Sequence, residues 1–167
     1  NNFSKKTYTE NYGDNHPFVG DIVPFPAENV PEHDILLGGF PCQPFSMMGS
    51  EKGFEDARGT LFFRVVEVIQ NQIGRGNKPK VIVLENVRRL LTHDNGNTFN
   101  VIKKILEKDL GYHIHYKVLN SANFGVPQTR NRIFIIGFAN EVDFNFPTEQ
   151  DLELTMQDLF QTFLIFL

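Results

Sequence analysis

Asp34-Ile35-Leu36-Leu37-Gly38-Gly39-Phe40-Pro41-Cys42-Gln43-Pro44-Phe45-Ser46 is the stretch from which the fold can be read. Its first half is a short apolar run closed by two glycines, which predicts a buried strand over 34–38. Its second half carries the single cysteine of the chain, set between two prolines. A lone cysteine is most often a small buried hydrophobe. Pro41 and Pro44 argue otherwise, because each fixes its own φ and restrains the residue before it. Cys42 is therefore expected in a stiff turn past the carboxyl end of a strand, where open α/β sheets gather their chemistry.

Two further segments extend the pattern. Lys80-Val81-Ile82-Val83-Leu84 predicts a strand over 80–85, with Glu85-Asn86-Val87 at its end. Gln128-Thr129-Arg130-Asn131-Arg132 stands before Ile133-Phe134-Ile135-Ile136, predicting a strand over 132–138, and another is expected over 113–119. Helical spacing appears over 59–73, with Leu61, Phe62, Val65, Val66 and Ile69 on one face. It recurs over 97–108, opened by Asn97 or Thr98 as cap, and a helix end is expected before Gly13. Strand and helix alternate, which predicts an α/β fold with a mostly parallel, Rossmann-like sheet. The last two strands should form an antiparallel edge.

Taken together, Pro41-Cys42-Gln43, Glu85-Asn86-Val87 and Gln128-x-Arg130-x-Arg132 resemble the DNA cytosine-5 methyltransferase family, which carries these signatures in this order. Gly53 to Phe62 and His93-Asp94-Asn95-Gly96-Asn97-Thr98 are similar to it as well, and the likeness runs from Tyr8 to about Phe160. It implies an S-adenosylmethionine-dependent methyltransferase fold and the activity of a bacterial restriction-modification methylase. A methyl group would pass from S-adenosylmethionine to carbon 5 of cytosine in double-stranded DNA.

The resemblance also implies roles. Carbon 5 of cytosine is a poor nucleophile until a thiolate adds at carbon 6, and Cys42 would supply that thiolate. Glu85, in a buried setting, would act on ring nitrogen 3. Arg130 and Arg132 would hold the ring carbonyl and favour the Cys42 thiolate, and Asn86 would orient the glutamate. The target base must leave the duplex stack to be reached. Gln43, Ser46 and Arg58 would touch DNA, within a mobile cover over 44–60.

For the donor, Asp21, Pro41 and Leu61 correspond to adenine contacts. The Gly-rich loop that cradles the rest of the donor is expected upstream of residue 1, and a target-recognition region beyond Phe160. The fold is thus expected to be incomplete at both ends: a partial catalytic domain over 1–160 and an apolar tail over 161–167. One side of the sheet would be exposed, inviting a complementary chain that carries the missing parts. The chain alone is expected to bind the donor weakly and to transfer no methyl group.

Composition bounds these expectations. With 167 residues and 41% hydrophobic content, one domain with a real core is expected. A net charge of −4 argues against a strong grip on DNA by this segment alone. Five histidines without ligand spacing suggest no metal site, and His93 is read as a structural turn residue. No membrane span or signal peptide is seen, and a thiolate-bearing enzyme suits a reducing bacterial cytoplasm, near the nucleoid. Two other readings stay open: an RNA cytosine-5 methyltransferase of the same fold, and a non-catalytic remnant or interaction module.

Overall fold

Ile35–Gly39 (β1) and Val81–Val87 (β2) pair in parallel, with Ile35 opposite Val81 and Gly39 opposite Glu85. Both are short apolar runs, and both end at the same edge of the sheet. The computed structural model describes residues 2–15, 19–42 and 61–150. Within these, helix α1 (Asn2–Tyr12) buries no residue and ends at Gly13, whose left-handed φ of +80° terminates it as expected.

The helix before β2, α2 (Leu61–Gly74), buries Phe62, Phe63, Val66 and Ile69 against the sheet. Its expected start at residue 59 lies outside the described residues. Two of its polar side chains are buried for a different purpose. Arg64 donates to the carbonyls of Ile22 and Phe25 and pairs with Glu67, while Gln72 donates to the carbonyl of Val30 at 2.9 Å. These bonds strap the irregular 21–31 segment onto the helix, and they satisfy backbone groups that no strand or helix would.

Helix α3 (Asn97–Lys104) runs on into a wider turn over Ile105–Asp109. Neither Asn97 nor Thr98 caps it. Gly96 precedes the helix, and Asp94, Asn95 and Gly96 all hold positive φ, at 51°, 52° and 87°. The reversal is made by backbone rather than by a cap, and the Thr98 hydroxyl lies 2.7 Å from His93 Nδ1 instead.

His113–Asn120 (β3) and Asn131–Phe138 (β4) complete a sheet ordered β1-β2-β4-β3. β4 is antiparallel to both neighbours, so three strands share one direction and β4 alone is reversed. The antiparallel pair expected at the edge is present, but its reversed member lies inside the sheet. The reason is in the side chains: Ile133, Ile135 and Gly137 of β4 are buried, whereas β3 alternates His113, His115 and Lys117 with apolar residues. A fully apolar run suits an interior strand and a half-polar one suits an edge.

Ile82, Leu84, Ile133 and Ile135 form the floor of the core under α2 and α3. The opposite face is more open, and Ile35 and Leu37 of β1 are 58% and 75% exposed. The extended segment after β4 covers the far part of that face, where Phe144 packs on His115 and Phe138. No helix among the described residues is long and apolar enough to cross a membrane.

Candidate functional site

Three chain segments meet at the carboxyl ends of β1 and β2. The Phe40 ring packs on Phe62 of α2, with centroids 5.3 Å apart, and the Phe40 carbonyl accepts from Asn86 Nδ2 at 2.8 Å. Asn86 is buried, and its Oδ1 accepts from the Val87 backbone N–H at 2.8 Å. One side chain thus ties the turn leading to Cys42 onto the exit of β2. Cys42 is half-buried and packs against the core.

Glu85 sits opposite Gly39, and its Oε2 lies 3.5 Å from where a Cβ on that glycine would stand. The third segment arrives because β4 runs backwards. Arg132 is near the start of β4, and the antiparallel register places it beside Val87, with Glu85 on the diagonal. Its Nε donates to Glu85 Oε1 at 2.8 Å, with side chains 23% and 36% exposed. Glu85 is therefore a half-exposed, ion-paired carboxylate rather than the enclosed one expected.

Arg130 is exposed, and its backbone N–H donates to Asn120 Oδ1 at 3.0 Å, anchoring the connection between β3 and β4. Among the described residues, a cation outside the three motifs bears on Cys42. Burial pushes the Cys42 thiol up from its ordinary value, and the Arg89 guanidinium opposes that shift. Arg89 lies in the turn Arg88–Leu91 directly after β2. A basic pair immediately following Glu-Asn-Val was the available signal.

The neighbours in sequence of the three expected adenine contacts are tied to the first turn of α2. The bonds from Arg64 bring the Asp21 loop to that helix, and the Phe40–Phe62 contact brings Pro41 near its start at Leu61. Asp21 and Pro41 are exposed and Leu61 is half-buried. Asp21 Oδ1 accepts from the Val23 backbone N–H at 2.9 Å, which fixes the loop. Gln43, Ser46 and Arg58, with the cover over 44–60, lie outside the described residues, as does the tail over 161–167. Among the described residues no group of three or more His, Cys, Asp or Glu could hold a metal ion.

A family model described as C-5 cytosine-specific DNA methylase matches residues 1–164. The chain is 48% identical over 145 residues to the Type II methyltransferase M.NgoBI of Neisseria gonorrhoeae, covering 87% of this chain and 43% of that protein. It is 42% identical over 160 residues to the Type II methyltransferase M.HhaI of Haemophilus parahaemolyticus, covering 94% of this chain and 46% of that protein. It thus spans less than half the length of these relatives. Among solved structures, the Entamoeba histolytica methyltransferase EhMeth superposes with a TM-score of 0.65 at 23% identity, over 92% of this chain and 47% of that one. At that identity the likeness is one of fold.

Proposed function

The chain belongs to the C-5 cytosine-specific DNA methylase family, and from that premise we propose that it carries the nucleophile and acid of a DNA cytosine-5 methyltransferase. One observation supports the reading most: Cys42, Glu85 and Arg132, drawn from three distant segments, are brought to one edge of the sheet by Asn86–Phe40 and Arg132–Glu85 contacts. An accidental set of surface residues has no reason to be so tied.

The chemistry follows from the groups. The substrate is a cytosine turned out of the DNA stack, because carbon 6 cannot be reached within it. The Cys42 thiolate adds to carbon 6, forming a carbon–sulfur bond and pushing electrons toward ring nitrogen 3. Glu85, steadied by Arg132 and protonated for this step, donates to that nitrogen as charge develops there, and takes the proton back when the thiolate leaves. Arg130, exposed at the same edge, holds the ring carbonyl. Carbon 5, now an enamine carbon, gains the methyl group. Loss of its proton to water then re-forms the double bond and expels the Cys42 thiolate.

By family resemblance Asp21, Pro41 and Leu61 would contact the adenine end of S-adenosylmethionine, one through a carboxylate and two through apolar surface. That group, when bound, supplies an electrophilic methyl. Asn86 keeps the turn in place while the sulfur bonds and leaves.

The test is covalent capture. The protein, expressed in its natural reading frame, is incubated with S-adenosylmethionine and duplex DNA in which 5-fluorocytosine replaces cytosine. Fluorine cannot leave as the proton does, so a denaturation-resistant protein–DNA adduct is expected. Cys42→Ser should abolish it. An adduct that persists in that variant, or none with the parent protein, overturns the reading.

A further inference from the structure

Val87 closes β2 and stands opposite Arg132 in the ladder with β4, which begins at Asn131. The chain leaving β2 and the chain entering β4 therefore emerge side by side, and the turn Arg88–Leu91 packs on β4. The Phe40–Cys42 turn is tied to the same edge by Asn86. Three arginines, Arg88, Arg89 and Arg130, are exposed there.

Most of the described basic side chains are engaged elsewhere. Lys6, Arg64, Lys80, Lys103, Lys117 and Arg132 are ion-paired with carboxylates, and Arg75 and Lys78 donate to backbone carbonyls. The side chains of Arg88, Arg89 and Arg130 make no ion pair or hydrogen bond among the described residues. Of the acids on these adjoining elements, Glu85 is taken by Arg132, and Asp94 stands in the next turn. Positive charge is thus in excess on these elements, in a chain whose net charge is −4.

The turn that carries two of these arginines is ordered before anything binds. Leu90 within it is fully buried, and the Arg89 carbonyl accepts from the backbone N–H and the hydroxyl of Thr92, at 3.0 and 3.3 Å. A pinned backbone lowers the entropy lost when a side chain is fixed on a ligand. The guanidinium fork matches the oxygens of a phosphate. We propose that Arg88 and Arg89 bind the phosphate backbone of DNA beside the flipped cytosine. The proposal deepens the methyltransferase reading and rests on it for its ligand. Contacts of this kind position the duplex without reading its sequence.

The test is the salt dependence of binding. The protein in its natural reading frame is titrated against fluorescent duplex DNA between about 50 and 200 mM salt. Arg88→Gln and Arg89→Gln should each flatten the slope of log K against log salt by about 0.9, the loss of one phosphate contact. The double variant should lose about twice that, equally on duplexes of unrelated sequence. Arg88→Lys and Arg89→Lys should keep the parent slope, because the charge persists. Lys108→Gln makes the same change of net charge at the far end of the sheet, beside the start of β3, and should leave the slope alone. An unchanged slope in either Arg→Gln variant, an equal drop in Lys108→Gln, or no DNA binding by the parent overturns the proposal. Failure of the methyltransferase reading would show instead as no fluorocytosine adduct while the slopes still differ. Failure of this proposal would leave the adduct and equalise the slopes.

Discussion

Arg132 Nε and Glu85 Oε1 lie 2.8 Å apart, on two strands that run in opposite directions. The pair is diagonal across the ladder and half-open to solvent. Its contribution to stability should be small, about 0.2–1 kcal/mol for such a pair. Its effect is geometric, because it fixes the carboxylate at the end of β2, across from Gly39 of β1.

Glu85→Gln keeps the shape of the side chain and removes its charge and its proton. In single-turnover methylation by the protein in its natural reading frame, the chemical step should fall about 10²–10⁴-fold while DNA binding persists. Arg132→Ala should weaken both turnover and retention of the flipped base, read by a fluorescent base analogue. If Glu85→Gln loses flipping and Arg132→Ala keeps it, the two roles are reversed.

Asn86→Ala leaves the buried Phe40 carbonyl and the Val87 N–H without their side-chain partner. Unsatisfied buried groups cost about 1–3 kcal/mol, so the urea midpoint should drop accordingly. An unchanged midpoint would show that the tie between the two strand ends is dispensable.

Gly137→Ala puts a Cβ 2.7 Å from Ile82 Cγ1 and 2.8 Å from Ile114 Cδ1. Overpacking of this kind costs about 1–3 kcal/mol. Ile114→Val removes one of the two clashing atoms, so the double variant should recover part of the loss in thermal unfolding. Full stability in Gly137→Ala alone would mean that the sheet is looser here than its packing indicates.

Tyr112 is 3% exposed and its hydroxyl donates to the Pro79 carbonyl at 2.8 Å. Burial pushes its pKa up to about 12. The folded state thus favours the protonated phenol, against about 10 in the unfolded chain. The resulting stabilisation is fully present below about pH 10 and fades as pH rises toward 12, by up to about 2–3 kcal/mol. Urea unfolding at pH 8, 10 and 11 should show parent stability falling relative to Tyr112→Phe. Parallel curves for the two proteins would remove Tyr112 as the cause.

Much of this architecture could be read before any coordinates. β1, β2 and β4 are apolar runs ended by glycine or polar residues, and α2 shows its buried face at helical spacing. What could not be read was adjacency. Nothing in chain order says that β4 inserts between β2 and β3, although the half-polar pattern of His113, His115 and Lys117 pointed to an edge. α3 starts at Asn97 as its spacing indicates, but three successive left-handed residues, Asp94, Asn95 and Gly96, take the place of the expected side-chain cap. At the site, Cys42, Glu85, Asn86 and Arg132 were named from motifs. Arg89 belongs to none, and lies in the turn directly after β2.

The reversal of β4 has a consequence for the order in which the molecule folds. A strand running backwards begins where its parallel neighbours end, so residues preceding β4 meet residues following β2. Phe40 and Asn86 are already 46 positions apart, and Arg132 lies farther still. Closing such loops must precede any reward from the contacts, which makes them slow. Helices α2 and α3 can form locally while the strand-end constellation cannot. The Glu85–Arg132 pairing is therefore expected among the last events of folding, and a growing chain holds an unassembled site until β4 has been synthesised and inserted.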